Sequence, residues 1–144
     1  MDAQEMWRYC GLARKVSGEY QAWAFGDDPD TLAELVLQGI KTATASAYPF
    51  YELEGEPLPQ AGEYSVILNA RKEAVCVIRT EKVMICPFSQ VGEEQAWKEG
   101  EGDRSLEYWR SVHRKFFTEE LQAVGLAFNE EMPVVCEEFV RVFP

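Results

Sequence analysis

The sequence predicts an α+β fold: a small mixed or antiparallel β-barrel with flanking helices, built as one domain over residues 1–144. Three observations lead there. Stretches 20–25, 63–69, 74–80, 83–86 and 134–143 are alternating or continuously apolar in the manner of strands. Apolar residues recur at helical spacing over 3–15, from Thr31 to Gly39, over 93–99, and from Leu106 through Phe116. No helix separates 63–69, 74–80 and 83–86, which argues against a doubly wound parallel sheet and for a curled β core with helices packed on it.

Each element has its own signal. Met6, Trp7, Cys10 and Leu12 give residues 3–15 a helical face, and Ser17-Gly18 is the stop. Residues 1–18 therefore read as an N-terminal helix lying across the barrel. Residues 20–25 alternate Tyr20, Ala22 and Ala24 against Gln21, Trp23 and Phe25, then turn at Gly26-Asp27-Asp28-Pro29. Asp30 is placed to cap a helix from Thr31 that shows Leu32, Leu35 and Val36 on one face, and Gly39 ends it. Tyr48-Pro49-Phe50-Tyr51 leads into an acidic loop with Gly and Pro that runs to Gly62. Residues 63–69 and 74–80, joined by a turn at 70–73, form an antiparallel hairpin. Val83 to Cys86 continues or adds a strand before Pro87. Residues 93–99 form a short helix ended by Gly100. Leu106, Trp109, Val112 or His113, and Phe116 mark a long helix, and 134–143 closes the chain as a strand.

Composition narrows the function. The chain is 47% hydrophobic and 12% aromatic, the signature of a globular domain. No apolar run approaches the ~18–20 residues of a membrane span, and the start, Met1-Asp2-Ala3-Gln4-Glu5, lacks a secretory pattern, so the expected location is the cytoplasm with no membrane partner. Cys10, Cys76, Cys86 and Cys136 are widely spaced, without the paired spacing of a zinc site, and Cys76 and Cys136 read as small buried hydrophobes. Fourteen basic residues stand against 25 acidic ones, a net charge of −11. Such a surface repels duplex DNA. A nucleic-acid partner is then single-stranded RNA or a small nucleoside or nucleotide that enters a local cleft.

The chemistry concentrates in two stretches. In Gly39 to Ser46 one cation, Lys41, sits among the hydroxyls of Thr42, Thr44 and Ser46, with small residues between them. A lysine in a partly dry site serves as base or as a cation facing developing negative charge. A threonine hydroxyl is a nucleophile once a base activates it. Residues three apart on a regular strand point to opposite faces, so Lys41 and Thr44 share a site only if the backbone bends between them. The second stretch is Glu99-Gly100-Glu101-Gly102-Asp103, where close carboxylates favour acid/base work. Glu99 falls at a helix C-terminus, where the dipole disfavours its charge unless a cation such as Lys41 faces it. His113, beside Arg114 and Lys115, reads as a surface or half-buried packing residue. Trp23, Phe25, Tyr48, Phe50, Tyr51 and Trp109 are mostly core, with one or two free to stack a base. Neither a Gly-rich phosphate loop nor a Gly-x-Ser-x-Gly elbow is present, and neither a metal nor a cofactor is expected.

Several of these residues carry a resemblance. Gly39-x-Lys41-x-Ala43-Thr44 resembles the Gly-x-Lys-x-x-Thr signature of the ASCH domain. Phe25-Gly26-Asp27, Pro87-Phe88, Glu99 to Asp103, Trp109, His113 and Cys136-Glu137-Glu138-Phe139 are similar to pieces of its longer bacterial members. The resemblance implies a PUA-like barrel with a cleft for RNA or nucleosides. It also implies catalytic roles for Lys41, as oxyanion stabiliser or base, Thr44, as nucleophile or donor, and Glu99, as proton shuttle. Small members resemble amidohydrolases acting on N4-acetylcytidine, often with an arginine two residues after the threonine; here Ser46 stands there. The residues expected to bind substrate are Phe25, Asp27, Thr42, Ser46, Tyr48, Glu101, Asp103, Trp109 and His113. The leading expectation is a ribonuclease-like hydrolase, the alternatives being an N4-acylcytidine amidohydrolase and a non-catalytic RNA or nucleotide binder.

Overall fold

Two long paired strands set the architecture. In a computed structural model describing residues 1–144, β4 (Ala74–Pro87) runs antiparallel to β5 (Pro133–Phe143) along its length. The register shifts twice, between Val77 and Ile78 and between Thr80 and Lys82. Such irregularities increase local twist and let a long pair coil. Around it the sheet adds β3 (Tyr64–Leu68), β1 (Gln21–Ala24) and β2 (Ala43–Ala47) in the order β1-β3-β4-β5-β2. β1 pairs parallel with β3 and the other pairs are antiparallel, so the sheet is mixed, as predicted. The segment 83–86 is one continuous strand with 74–80, because the bulge carries the chain past the charged pair Glu81-Lys82 without breaking the ladder.

The helices close the sheet. α1 (Ala3–Arg14) seats Met6 and Cys10 on Val66 and Val77. It ends at Lys15, in the left-handed region, just before Ser17-Gly18. α2 (Pro29–Leu37) is capped by Asp28, whose Oδ1 accepts from Thr31 N at 3.3 Å. Asp30, the predicted cap, falls inside the first turn and accepts instead from Ala70 N at 2.9 Å. α2 packs Ala33 and Val36 against Phe25, Ile67, Ile78 and Phe139. Tyr48-Pro49-Phe50-Tyr51 and the start of the expected acidic loop form a helix, α3 (Tyr48–Glu54), with Pro49 in its first turn, where a missing N–H costs nothing. Tyr48 consequently lies beside Pro49, Glu52, Leu53, Leu126 and Pro133, on a different face from the cleft described below.

α4 (Glu93–Glu99) and α5 (Leu106–Gln122) cover the far half of the sheet. On α5, Trp109, Phe117 and Leu121 bury against Phe88, Val91, Met132 and Val134. Burying aromatic and aliphatic side chains of this size stabilises by about 1.5–3 kcal/mol each, so α5 is a firm wall. No helix is long and apolar enough to cross a membrane.

Candidate functional site

The predicted bend lies between α2 and β2. Gly39, at φ 76°, ends α2, and the amides of Ile40 and Lys41 both return to the Leu35 carbonyl at 3.0 and 3.1 Å. Thr42 N then donates to Lys98 O at 2.7 Å, and Phe139 N donates to Thr42 O at 3.0 Å, before regular strand begins at Ala43. Lys41 therefore sits outside the pleat that governs Thr44, and both side chains line one concavity.

This segment also caps α4. The carbonyls of Trp97, Lys98 and Glu99, left open by the helix end, accept from Arg104 Nε at 2.9 Å, from Thr42 Oγ1 at 3.4 Å and from Lys41 Nζ at 3.4 Å. Gly100 makes the approach feasible: at φ 74° it is left-handed, and a Cβ there would meet Ile40 O at 2.7 Å.

At the centre are two buried opposite charges. Lys41 and Glu99 are each 1% exposed. Lys41 Nζ donates to Glu101 Oε2 at 3.0 Å and lies 3.6 Å from Glu99 Oε1. It also stands 5.1 Å from the centre of the Phe25 ring, within cation–π range. Glu99 Oε2 accepts from Trp109 Nε1 at 2.5 Å and Gln95 Nε2 at 3.1 Å. Glu99 Oε1 also faces His113 Nε2 at 3.4 Å. His113 Nδ1 meets the Trp109 carbonyl at 2.9 Å, so Nδ1 carries hydrogen, and its ring stacks on Trp109 at 4.1 Å.

Burial opposes the Glu99 charge, but His113 and Lys41 outweigh it and hold the carboxyl at about 2. Burial likewise disfavours charge on His113, and the Glu99 carboxylate reverses the effect and raises it. The cluster is thus a carboxylate held by the Lys41 ammonium and by a histidine whose protonation it favours. Ligand atoms of Glu99, Glu101 and His113 lie within 4.8 Å of one another, a spacing a metal ion could use. That donor set is already engaged: the Lys41 ammonium binds both carboxylates and His113 Nε2 faces Glu99 Oε1. A metal would have to displace a buried lysine.

The concavity has two compartments. The inner one, about 50 Å³, is lined by Phe25, Asp27, Lys41, Thr44, Glu99, Glu101 and His113 among others. Phe25, Gly26, Thr44, Ala45 and Phe116 are shared with an outer cleft of about 350 Å³. There Trp23, Tyr51 and Phe116 offer aromatic surface beside Glu63, Glu120 and Glu137, and no lysine or arginine lines it. Burial pushes the Glu137 carboxyl up to about 7, opposed by a hydrogen bond from Thr80 Oγ1 and reinforced by Glu63.

Of the predicted residues, Lys41, Thr44, Glu99, Phe25, Asp27, Glu101 and His113 converge on the inner compartment. Ser46 reaches the outer cleft, hydrogen-bonded to Tyr51 Oη at 2.8 Å. Four positions differ from expectation. Thr42 turns to the Lys98 carbonyl. Trp109 is buried beneath Glu99, where it supports the carboxylate instead of meeting solvent. Asp103 is outside the cleft, its Oδ1 accepting from Ser105 N at 2.9 Å ahead of α5, and Tyr48 lies in α3 beside Glu52, Leu53 and Leu126. His113 is no surface residue: it is 8% exposed and paired with Glu99. Its signal was the spacing Trp109, His113, Phe117, one buried helical face, against which Arg114 and Lys115 point elsewhere. Gln95 and Glu137 received no role from the sequence. Gln95 lies one turn before Glu99, and Glu137 interrupts the apolar face of Val135 and Phe139.

The geometry has clear relatives. The family model for the ASCH domain matches residues 21–143. No curated protein matches the chain. Among solved structures, an ASCH domain from Lactobacillus crispatus JV V101 superposes with a TM-score of 0.89 at 35% identity, covering 98% of this chain and 94% of that one. Protein EF3133 from Enterococcus faecalis V583 gives a TM-score of 0.90 at 36% identity, covering 97% of this chain and 87% of that one. The hypothetical protein PH0355 shares the fold alone, at a TM-score of 0.56 and 17% identity over 84% of this chain and 99% of that one. With the match over residues 21–143 and the mixed, curled sheet beneath it, the chain belongs to the ASCH domain family, with its PUA-like fold.

Proposed function

We propose that this protein is a hydrolase that removes an acyl group from the exocyclic amine of a cytidine-type nucleoside. The observation that carries the reading is the Lys41 ammonium, buried at the inner end of a cleft beside Thr44, with an outer cleft that is aromatic, acidic and free of cations. A nucleobase is flat and uncharged and gains by stacking on aromatic rings. An RNA strand would draw its phosphates past Glu63, Glu120 and Glu137 with no basic side chain to receive them. The charge pattern favours the nucleoside over the strand.

The chemistry follows from the pairing. Lys41 contacts two carboxylates and acts as a fixed cation, so its use is to stabilise the oxyanion that forms on the acyl oxygen. Thr44 Oγ1 attacks the acyl carbon, its proton passing to the Glu101 carboxylate, which is half-buried and bound to Lys41. The tetrahedral species collapses, the C–N bond breaks, and the amine leaves with that proton. Water then hydrolyses the threonine ester and releases the carboxylic acid. Glu99 accepts from Trp109 and Gln95 and faces Lys41 and His113, and with both its oxygens held in this way its task is to anchor Lys41.

The test is a pair of assays on the purified protein: acetate release from N4-acetylcytidine, and cleavage of a single-stranded RNA oligonucleotide. The reading expects acetate release with the RNA intact. Strand scission without acetate release would replace it with the ribonuclease reading, and saturable nucleoside binding with neither reaction would leave a binding module.

A further inference from the structure

The outer cleft contains one carboxylate placed differently from the rest. Glu137 lies on β5 directly opposite Thr44 on β2 in the antiparallel register. Side chains of residues so paired leave the sheet on the same face, about 5 Å apart. Both line the outer cleft, and Thr44 also lines the inner compartment that holds Lys41. Thr80, on β4, donates to Glu137 Oε1 at 3.4 Å and fixes the carboxyl from behind. Glu63 and Glu120 approach the same cleft from the segment before β3 and from α5.

We infer that Glu137 is the specificity-determining residue of this cleft, hydrogen-bonding the polar edge of the base next to the scissile amide and excluding ligands that carry phosphate. The inference rests on the nucleoside reading of the same cleft. With the acyl carbon at Thr44, the amide N–H and the adjacent ring nitrogen of an acylated cytosine fall toward the residue opposite Thr44. As a carboxylate, Glu137 accepts from the amide N–H; as a carboxylic acid, it donates to the ring nitrogen. A carboxyl lifted to about 7 by burial has both forms available near neutrality. The same group, flanked by Glu63 and Glu120, repels a phosphate carried on the sugar.

The experiment measures binding without turnover. The Thr44→Ala variant is titrated with N4-acetylcytidine and with its 5′-monophosphate, alone and with Glu137→Gln or Glu137→Leu added. Gln keeps the shape, an oxygen for Thr80 and both hydrogen-bonding functions while removing the charge, whereas Glu137→Leu removes the hydrogen bonds as well. Expected is a preference for the nucleoside of about tenfold or more, with Glu137→Gln narrowing that preference and Glu137→Leu also weakening nucleoside binding several-fold. An unchanged preference in the Glu137→Gln variant, or an unchanged nucleoside affinity in Glu137→Leu, would overturn the assignment, as would equal affinity of the Thr44→Ala protein for the two ligands or binding of neither. Turnover is read separately: failure of the parent protein to release acetate, with these binding differences intact, sinks the hydrolase reading and leaves the Glu137 assignment standing.

Discussion

His113 Nε2 lies 3.4 Å from Glu99 Oε1, and both side chains are buried. The Trp109 carbonyl requires hydrogen on the other ring nitrogen, so protonating Nε2 completes a cation that faces a carboxylate. His113 and Lys41 both approach Glu99 Oε1, while Trp109 and Gln95 donate to Oε2, which keeps three ionisable groups buried at one point of the fold.

The pair predicts how stability varies with pH. Glu99 is depressed in the folded protein to about 2, so its contribution is present above its ordinary 4.5 and is lost as pH falls toward 2. That depression corresponds to about 3 kcal/mol. His113 is raised, so its contribution is full below its ordinary 6.5 and is lost as pH rises through its folded value. Urea unfolding across the pH range should therefore show weakening on both sides, and His113→Gln should flatten the alkaline side. An unchanged alkaline limb in that variant would remove the ion pair from the account.

Glu137 predicts a separate slope. Its folded value, about 7, lies above its ordinary 4.5, so ionisation costs stability progressively between those values. The groups that face it are Glu63, Glu120, Tyr51 and Thr80. Glu137→Gln should leave stability near pH 4 little changed and raise it at pH 8 by up to about 3 kcal/mol. Equal stability of the two proteins at pH 8, by urea midpoint, would contradict the burial penalty.

Trp109→Phe removes the Nε1–H donor to Glu99 while retaining a ring to stack on His113. Leaving a buried carboxylate short of one donor costs about 1–3 kcal/mol. The expected result is a lower unfolding midpoint with an unchanged far-ultraviolet spectrum, and a Glu99 titration shifted upward. A wild-type midpoint would show that the indole serves packing alone.

Gly100→Ala combines a left-handed backbone with a Cβ 2.7 Å from the Ile40 carbonyl. Backbone on the far side of the contact cannot yield as a flexible side chain would. A loss of at least about 1 kcal/mol is expected, together with reduced activity, because the same contact sets Lys41 against Glu99 and Glu101. Full stability and full activity in this variant would show that the turn tolerates a methyl group.

Much of this arrangement was legible in the sequence. The hairpin of β3 and β4 followed from alternation and a turn, and the ends of α2 and α4 from Gly39 and Gly100, both left-handed here. Lys41, Thr44 and Glu99 stood out by chemistry, and the bend between the first two follows from the end of α2. The rest depended on long-range partners. α3 was hidden because Pro49 reads as a breaker unless it is known to sit in a first turn. His113 looked solvated because its neighbours are basic, and only the packing of α5 shows which helical face is inward. Glu137 gains its role from the register of β2 against β5, which local periodicity does not encode.

The central claim is that the buried Lys41 ammonium works on a reacting acyl group beside Thr44. The most direct measurement is kcat for acetate release from N4-acetylcytidine by the parent protein and by Lys41→Met, which keeps length and apolar packing while removing the charge. Loss of one preorganised oxyanion partner lowers kcat by about 10²–10³-fold, and that is the result predicted here for a Lys41→Met protein that remains folded. Equal kcat values for the two proteins would contradict it.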